Sequence, residues 1–406
     1  MLNFWSYWNN LQARERILKT IENEEPDRVP SFETSVDNLQ VCKYFGEKYF
    51  IDEVVKMQKF CFNLCFSSQK IFTKFMNFMS KKDFAIKKAI EPWIKLYTKI
   101  GFDMVTSALC HHPLIFKKDG WIDEFGRILT FKRNPKDNMS LLYYTGGLFK
   151  NFDDYQQFPP LDPDNILREK MFKTSKKIES NLKGKIFVVP YINGIMEATW
   201  EGFGLENFSK LLAKRKQVKQ VFDDRGNLAV ELTKRIIDWG ENGAIYITDD
   251  YGYKQGLFMS PKDYRTYVIP WINQICKAAH KASLKVILHS CGDIFQIFED
   301  LVKAGIDVIN PIEPTTANPE YNIFKLHEKF GDKITFCGNL SPQMLATGEI
   351  SEVESYAKSL IQELAPGGGY IFSSGHSINP AVKLENFLAM RKILEKFGNY
   401  PINMNQ

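Results

Sequence analysis

From residue 165 onward the chain alternates between short apolar runs and longer stretches with helical spacing, and this regularity limits its folds more than any single motif. The apolar runs fall at 185–192 (KIFVVPYI), 244–250 (AIYITDD), 285–291 (KVILHSC), 307–313 (DVINPIE), 334–339 (ITFCGN) and 369–375 (GYIFSSG). Two earlier runs, an extended segment at 28–33 and FDMVTSAL at 102–109, bring the candidate strands to eight. Helical patterns cover 165–182, 205–237, 293–304, 319–330, 351–364 and 383–396. A further helix begins after Ser260, which is placed to cap it, with Pro261 in its first turn. Strands separated by helices imply a parallel sheet covered by helices. Eight such units predict an α/β fold of the (β/α)8 (TIM) barrel type. An open doubly wound sheet is the competing architecture, but no Gly-rich turn follows any of these strands, and APGGGY precedes its strand. A helix over 11–24 precedes the first strand, and a mostly helical insertion over about 37–100, rich in Phe, Met and Lys, follows it. GWIDEFGRILTFKR at 120–133 predicts a hairpin outside the main pattern. The expected organisation is one barrel domain over 1–406.

Composition bounds the function classes. Of 406 residues, 44% are hydrophobic and 25% charged, as in ordinary globular chains. A net charge of +5 is too small and dispersed to argue for nucleic acid. The Lys-rich run around 81–96 reads as a solvated helix face. Seven Cys without a compact spacing pattern read as reduced thiols. The first thirty residues show no basic segment followed by an apolar run, and no run nears the ~20 residues that span a bilayer. The expectation is a cytoplasmic protein without nucleic-acid or membrane partners.

In a barrel of this kind the chemistry sits at the carboxyl ends of the strands. Those ends carry Glu33, Asp103, Tyr191, Asn193, Asp249, Asp250, His289, Cys291, Asn310, Glu313, Cys337, Asn339, Ser374 and His376. His289 and Cys291 are two apart, so both side chains leave the strand on one side. Imidazole with thiolate suits zinc, which in a catalytic site takes three protein ligands and leaves one position open. His376 after the last strand is the first choice for the third ligand, with Cys337 second. Taken alone, the pair reads rather as a buried small thiol beside a hydrogen-bonded histidine; His376, Cys337 and Asp249 at neighbouring strand ends put the metal ahead. Asp249 and Asp250 are consecutive, so only one enters the lumen; it is a candidate acid, base or orienting group, while the other caps a turn. Gln255 and Asn339 are candidate substrate contacts, as are Glu33, Tyr191 and Asn193 in the pocket lining. Cys61, Cys65 and Cys276 read as packing residues, and CHHP (110–113) as a substrate contact whose adjacent histidines diverge.

Five segments in this order, RERILKTIENEEPDRVP, DDYGYKQGLFMSPKDYRTYVIPW, HSCGDIFQIFEDLVKAGIDVINPIEP, CGNLSPQMLATG and LAPGGGYIFSSGHSINPAVKLENFLAM, resemble the uroporphyrinogen decarboxylase superfamily. The resemblance runs from about residue 10 to residue 395 and implies the same barrel. True decarboxylases of this superfamily carry an Arg-rich segment after strand one; here SFETSVDNLQ stands there, without Arg. The other branch comprises zinc-dependent methyltransferases with His-x-Cys on strand five and a Cys after strand eight. His289 and Cys291 match the first part, and His376 stands at the third position, where decarboxylases also carry Gly-His. The resemblance implies methyl transfer between a corrinoid protein and a small-molecule donor or acceptor, a thiol or methyl ether. The chain lacks Asp-x-His-x-x-Gly, so the corrinoid is expected on a separate partner protein docking over the barrel mouth, with 37–100 as a cover. A homodimer fits the decarboxylase relatives. The competing readings are a porphyrinogen decarboxylase and a non-catalytic binding barrel.

Overall fold

The computed structural model describes residues 11–65, 67–241 and 243–404. Part of the leader-free reading falls on residues 1–10, which lie outside these. The strands in chain order are β1 (Met104–Ala108), β2 (Pro113–Lys117), β3 (Gly120–Asp123), β4 (Arg127–Arg133), β5 (Ser140–Gly147), β6 (Phe187–Asn193), β7 (Ala244–Thr248), β8 (Gly252–Tyr253), β9 (Gly256–Leu257), β10 (Lys285–His289), β11 (Val308–Asn310), β12 (Thr335–Leu340) and β13 (Tyr370–Ser374). Seven of them form one parallel sheet in the order β1-β6-β7-β10-β11-β12-β13, each neighbour reached through a helical connection.

The first expected strand is present only as the extended segment 30–33. Phe372 N–H donates to Pro30 O (2.8 Å), and Phe32 N–H donates to Phe372 O (3.1 Å). On the other side Asp103 N–H donates to Ser31 O (2.9 Å). One short segment therefore hydrogen-bonds to both outer edges of the curled sheet. Period-two alternation divides the side chains. Ile245 and Ile247 of β7 face the helices, whereas Ala244 and Tyr246 join an inner cluster to which every strand of the sheet contributes. Phe32 joins that cluster, and Ile17 and Ile21 of the first helix, α1 (Ala13–Ile21), pack into it.

Asp103 precedes β1, at the amino-terminal side of the sheet. It accepts from Arg16 Nη1 (2.7 Å), Arg28 Nη1 (2.8 Å) and Nη2 (2.7 Å), and Ser31 N–H (2.8 Å). This buried ion cluster fastens the base of the fold, so Asp103 is not a rim residue. Ser260 caps its helix by accepting from Asp263 N–H, with Pro261 in the first turn.

The insertion after segment 30–33 contains α2 (Leu39–Tyr44), α3 (Phe50–Leu64), α4 (Gln69–Ser80) and α5 (Asp83–Ile100). The expected hairpin exists as β3 and β4 but belongs to a four-stranded antiparallel sheet, β2-β3-β4-β5. Edge strand β2 is covered by α4. There Thr73 Oγ1 donates to Phe116 O (3.1 Å) and Asn77 Nδ2 to Leu114 O (3.2 Å), meeting carbonyls that a bare edge would expose.

Candidate metal centre at the carboxyl ends of the strands

Parallel pairing places Asn193, Thr248, His289 and Asn310 in one row across β6, β7, β10 and β11. This row is the last layer of the sheet before the loops. The loops after β7 and β10 add Asp250 and Cys291. Cys291 N–H donates to Asp250 Oδ1 (2.8 Å), which ties the two loops together. Gly292 follows with φ +80°, and a Cβ there would lie 2.2 Å from the Gly252 backbone. Only glycine serves both the left-handed conformation and that approach. Gly292 N–H donates to Glu313 Oε2 (2.8 Å), while Thr315 Oγ1 donates to Glu313 Oε1 (2.7 Å). Glu313 thus holds the loop that presents Cys291.

Asp250, His289 and Cys291 each direct one donor atom into a common space, all within 4.8 Å of one another. Cys291 Sγ lies 3.4 Å from His289 Nε2, and Asp250 Oδ1 lies 3.8 Å from the same nitrogen. The other face of the imidazole is set by Asn310. The Asn310 Nδ2 group donates to Cys337 O (3.1 Å), an obligate acceptor, so its Oδ1 turns toward His289 Nδ1 at 2.8 Å. Tyr246 Oη and Thr34 Oγ1 also donate to that oxygen (3.0 and 3.1 Å). An amide oxygen only accepts, so Nδ1 must carry the proton and Nε2 keeps its lone pair for the shared space. This is the outer-shell arrangement by which proteins orient a metal-binding histidine.

Nitrogen, sulfur and carboxylate oxygen together suit zinc. Burial lowers the His289 pKa against the pull of Asp250, favouring the neutral imidazole that a metal binds. Burial, with Asp250 and Glu313 nearby, pushes the Cys291 thiol well above its usual pKa. A divalent cation would reverse that preference. The residues present therefore fit a metal ion.

The other residues read from the sequence are placed differently. His376, the expected third ligand, is exposed beyond the end of β13. Its Nδ1 lies 2.8 Å from Ser377 Oγ and its ring 6.4 Å from that of His289, outside the three-donor group. The cause is local: Ser374 is held by Glu33, and the chain turns at Gly375 before His376. Cys337 is in the inner cluster, where its sulfur accepts from Asn310 Nδ2 (3.3 Å), and it is not among the three converging donors. Glu33 is buried, accepting from Ser374 N–H (2.8 Å) and Oγ (2.6 Å), so it fastens segment 30–33 to β13. Burial raises its pKa to about 8.

Of the consecutive pair, Asp250 faces the donors and Asp249 does not. Asp249 accepts from the N–H groups of Ile195 (2.8 Å), Met196 (3.2 Å) and Glu197 (2.7 Å), capping the helix Met196–Phe203. A Cβ at Gly194 would lie 2.1 Å from Asp249 Cβ, so glycine is required for this contact. Both ends of the Asn339 amide are engaged, with Ile312 O and Tyr356 Oη. Gln255 is exposed at the turn between β8 and β9. Asn193 is in the row and Tyr191 lies two residues before it on β6, with the Tyr191 ring edge-on to His111 at 5.7 Å. The CHHP histidines do diverge, His112 being buried and His111 lodged between Tyr191 and Phe125.

A group of charges that the sequence reading did not assemble lies beside the centre. Arg127 Nη1 pairs with Glu201 (2.9 Å) and its Nε with Asp123 (2.7 Å). Glu197 is one helical turn before Glu201, and burial together with Asp250 and Glu201 raises its pKa well above the usual range. The i, i+4 spacing of these two glutamates after a strand was the available signal. Their partner Arg127 comes from a different sheet.

Fold and site together define a class: an α/β protein with a curled parallel sheet and three side chains whose donor atoms converge where its strands end. Residues 151–397 match the model of the uroporphyrinogen decarboxylase (URO-D) family. The chain belongs to that family. The uroporphyrinogen decarboxylase of Geobacter sulfurreducens is 32% identical over 156 residues, 38% of this chain and 42% of that protein. That match therefore spans less than half of the relative. The uroporphyrinogen decarboxylase of Pseudoalteromonas translucida is 25% identical over 287 residues, covering 64% of this chain and 74% of the relative. In fold, the chain is similar to a methyltransferase from Methanosarcina mazei, with a TM-score of 0.61 and 16% identity over 96% of this chain and 99% of the other.

Proposed function

We propose that the chain is a zinc-dependent methyltransferase of the URO-D family, moving a methyl group between a separate corrinoid protein and a small thiol or methyl ether. The observation that carries this reading is the converging Asp250, His289 and Cys291 donor set, with the histidine tautomer dictated by Asn310. The three residues would hold the metal, Asp250 taking the place first expected of His376. Bound zinc would stabilise a thiolate at neutral pH or polarise an ether oxygen. Glu313 and Gly292 hold Cys291 in place, and Tyr191 and Asn193 would line the pocket. Segment 30–33 would serve as the eighth stave of a closed barrel, within a single domain.

The names of the sequence relatives favour a second reading, decarboxylation of a porphyrinogen. Such a polycarboxylate needs cationic partners. The stretch SFETSVDNLQ (31–40) carries no Arg, and Arg127, near the centre, is already paired with Asp123 and Glu201. Metal content of the purified protein separates the readings. We expect one zinc per chain, lost in His289→Ala and in Cys291→Ser, and methylation of reduced cobalamin from a thioether or methyl-ether donor. Metal-free protein that releases carbon dioxide from a porphyrinogen would overturn the proposal.

A further inference from the structure

The insertion helices carry an outward surface that the metal centre does not use. Along α3, Met57, Phe60 and Leu64 are exposed at spacings of three and four, forming one stripe. On α4, Ile71 and Phe78 are exposed seven residues apart, and Phe84 follows at the start of α5. Phe60 (64% exposed) and Phe84 (63%) are the most exposed large apolar side chains among the described residues.

Both helices are anchored by their other sides. Gln58 of α3 donates to Lys117 O (2.8 Å) and Gly120 O (2.9 Å), at the turn between β2 and β3. Phe72 and Met76 of α4 are buried with Cys65 and Phe116. Phe62 of α3 meets Phe72 of α4 edge-on at 5.2 Å. The two helices therefore lie side by side on the small sheet, with their apolar stripes turned away from it. A helix that is apolar on its outer flank as well as its inner one requires a second covering.

Charge indicates what the covering is. Residues 50–88, from the start of α3, contain eight Lys and three acids, Asp52, Glu53 and Asp83, for a segment charge of +5. The whole chain carries +5, so the remaining residues sum to 5 − 5 = 0. The positive charge is thus concentrated on the helices that expose the apolar stripes. It is also interleaved with them: Lys82 Nζ sits 4.0 Å from the Phe78 ring centroid. Among the described residues no helix is long and apolar enough to cross a membrane. Phe and Leu on an outward helical flank bordered by Lys match an interfacial helix lying on an anionic bilayer.

We propose that α3, α4 and the start of α5 form a peripheral docking surface for an anionic lipid bilayer. The lysine-rich run read from sequence as a solvated face thereby acquires a partner. The surface is independent of the metal centre and of the reaction.

The test is co-flotation of the full chain with vesicles. Vesicles of phosphatidylcholine with about 30% phosphatidylglycerol should carry the protein at low ionic strength, pure phosphatidylcholine should not, and about 0.5 M salt should release it. Lys70→Glu/Lys74→Glu/Lys82→Glu and Phe60→Ser/Phe78→Ser/Phe84→Ser should each reduce the floating fraction at least fivefold. Thermal midpoint and metal content should stay unchanged in both variants. Absence of flotation with anionic vesicles, equal flotation with neutral ones, or flotation insensitive to both variants would overturn the proposal. A concentration-dependent dimer abolished by the Phe variant, without vesicle binding, would instead assign the surface to a second copy.

Discussion

Asn310→Ala tests the central geometric claim, that an amide oxygen decides which imidazole nitrogen faces the donor space. Asn310 is 1% exposed. Its side chain accepts from His289 Nδ1, Tyr246 Oη and Thr34 Oγ1 and donates to Cys337 O. Thr34 is half-buried and can reach water, but Tyr246 Oη and Cys337 O are enclosed. Tyr246 Oη keeps Thr34 as a partner, so one buried group, Cys337 O, left unpaired at about 1–3 kcal/mol predicts a stability loss of that size. Loss of the outer-shell partner predicts a further effect, about 10–100-fold weaker metal binding, because the ring is no longer held in one tautomer. Asn310→Asp separates the two effects. Its carboxylate still accepts from Nδ1, so metal affinity should stay close to that of the parent even though the bond to Cys337 O is lost. Urea unfolding measures the first quantity, and zinc competition against a chromophoric chelator measures the second. Asn310→Ala with zinc affinity within about threefold of the parent would refute the tautomer argument, since outer-shell removal typically costs tenfold or more.

Asp250→Asn should lose zinc, whereas Asp249→Asn should keep it and lower stability by about 1–2 kcal/mol through its weakened helix cap; metal analysis beside thermal melting distinguishes them. His376→Ala should retain full metal stoichiometry, and zinc loss in that variant would restore His376 as a ligand. Glu33 has a folded pKa raised to about 8. Its protonated form is the one the fold favours, so stability is present below the unfolded carboxyl range and is lost as pH rises toward 8. The slope is at most about 1.4 kcal/mol per pH unit. Glu33→Gln should flatten that decline in urea titrations between pH 5 and pH 8, and an unchanged pH profile would remove Glu33 as its source.

The strands were legible because buried parallel strands are short apolar runs bounded by polar ends. The seven strands of the parallel sheet coincide with the runs read from sequence, β6 and β12 each ending one residue beyond theirs. His289 and Cys291 were legible as a pair because period-two geometry alone puts i and i+2 on one side. The small antiparallel sheet was read only as its β3–β4 hairpin, since its outer strands are mostly half-buried and lack a clear apolar run. The helix Met196–Phe203 was not separated from its surroundings, and Glu197 and Glu201 were missed with it.

What the sequence determined by itself was the order of elements, the parallel sheet and the strand ends at which polar groups collect. These depend on local periodicity, which a linear chain displays in full. Only the tertiary structure decided that Asp250 and not Asp249 joins the donors, and that His376 stays outside them. It also decided that Glu33, Asn339 and Asp103 serve the scaffold, and that Asn310 dictates the histidine tautomer. Each of these depends on which loop meets which across the sheet, at distances of a few ångströms between residues up to several hundred positions apart, as with Glu33 and Ser374. Periodicity along the chain carries no record of such meetings.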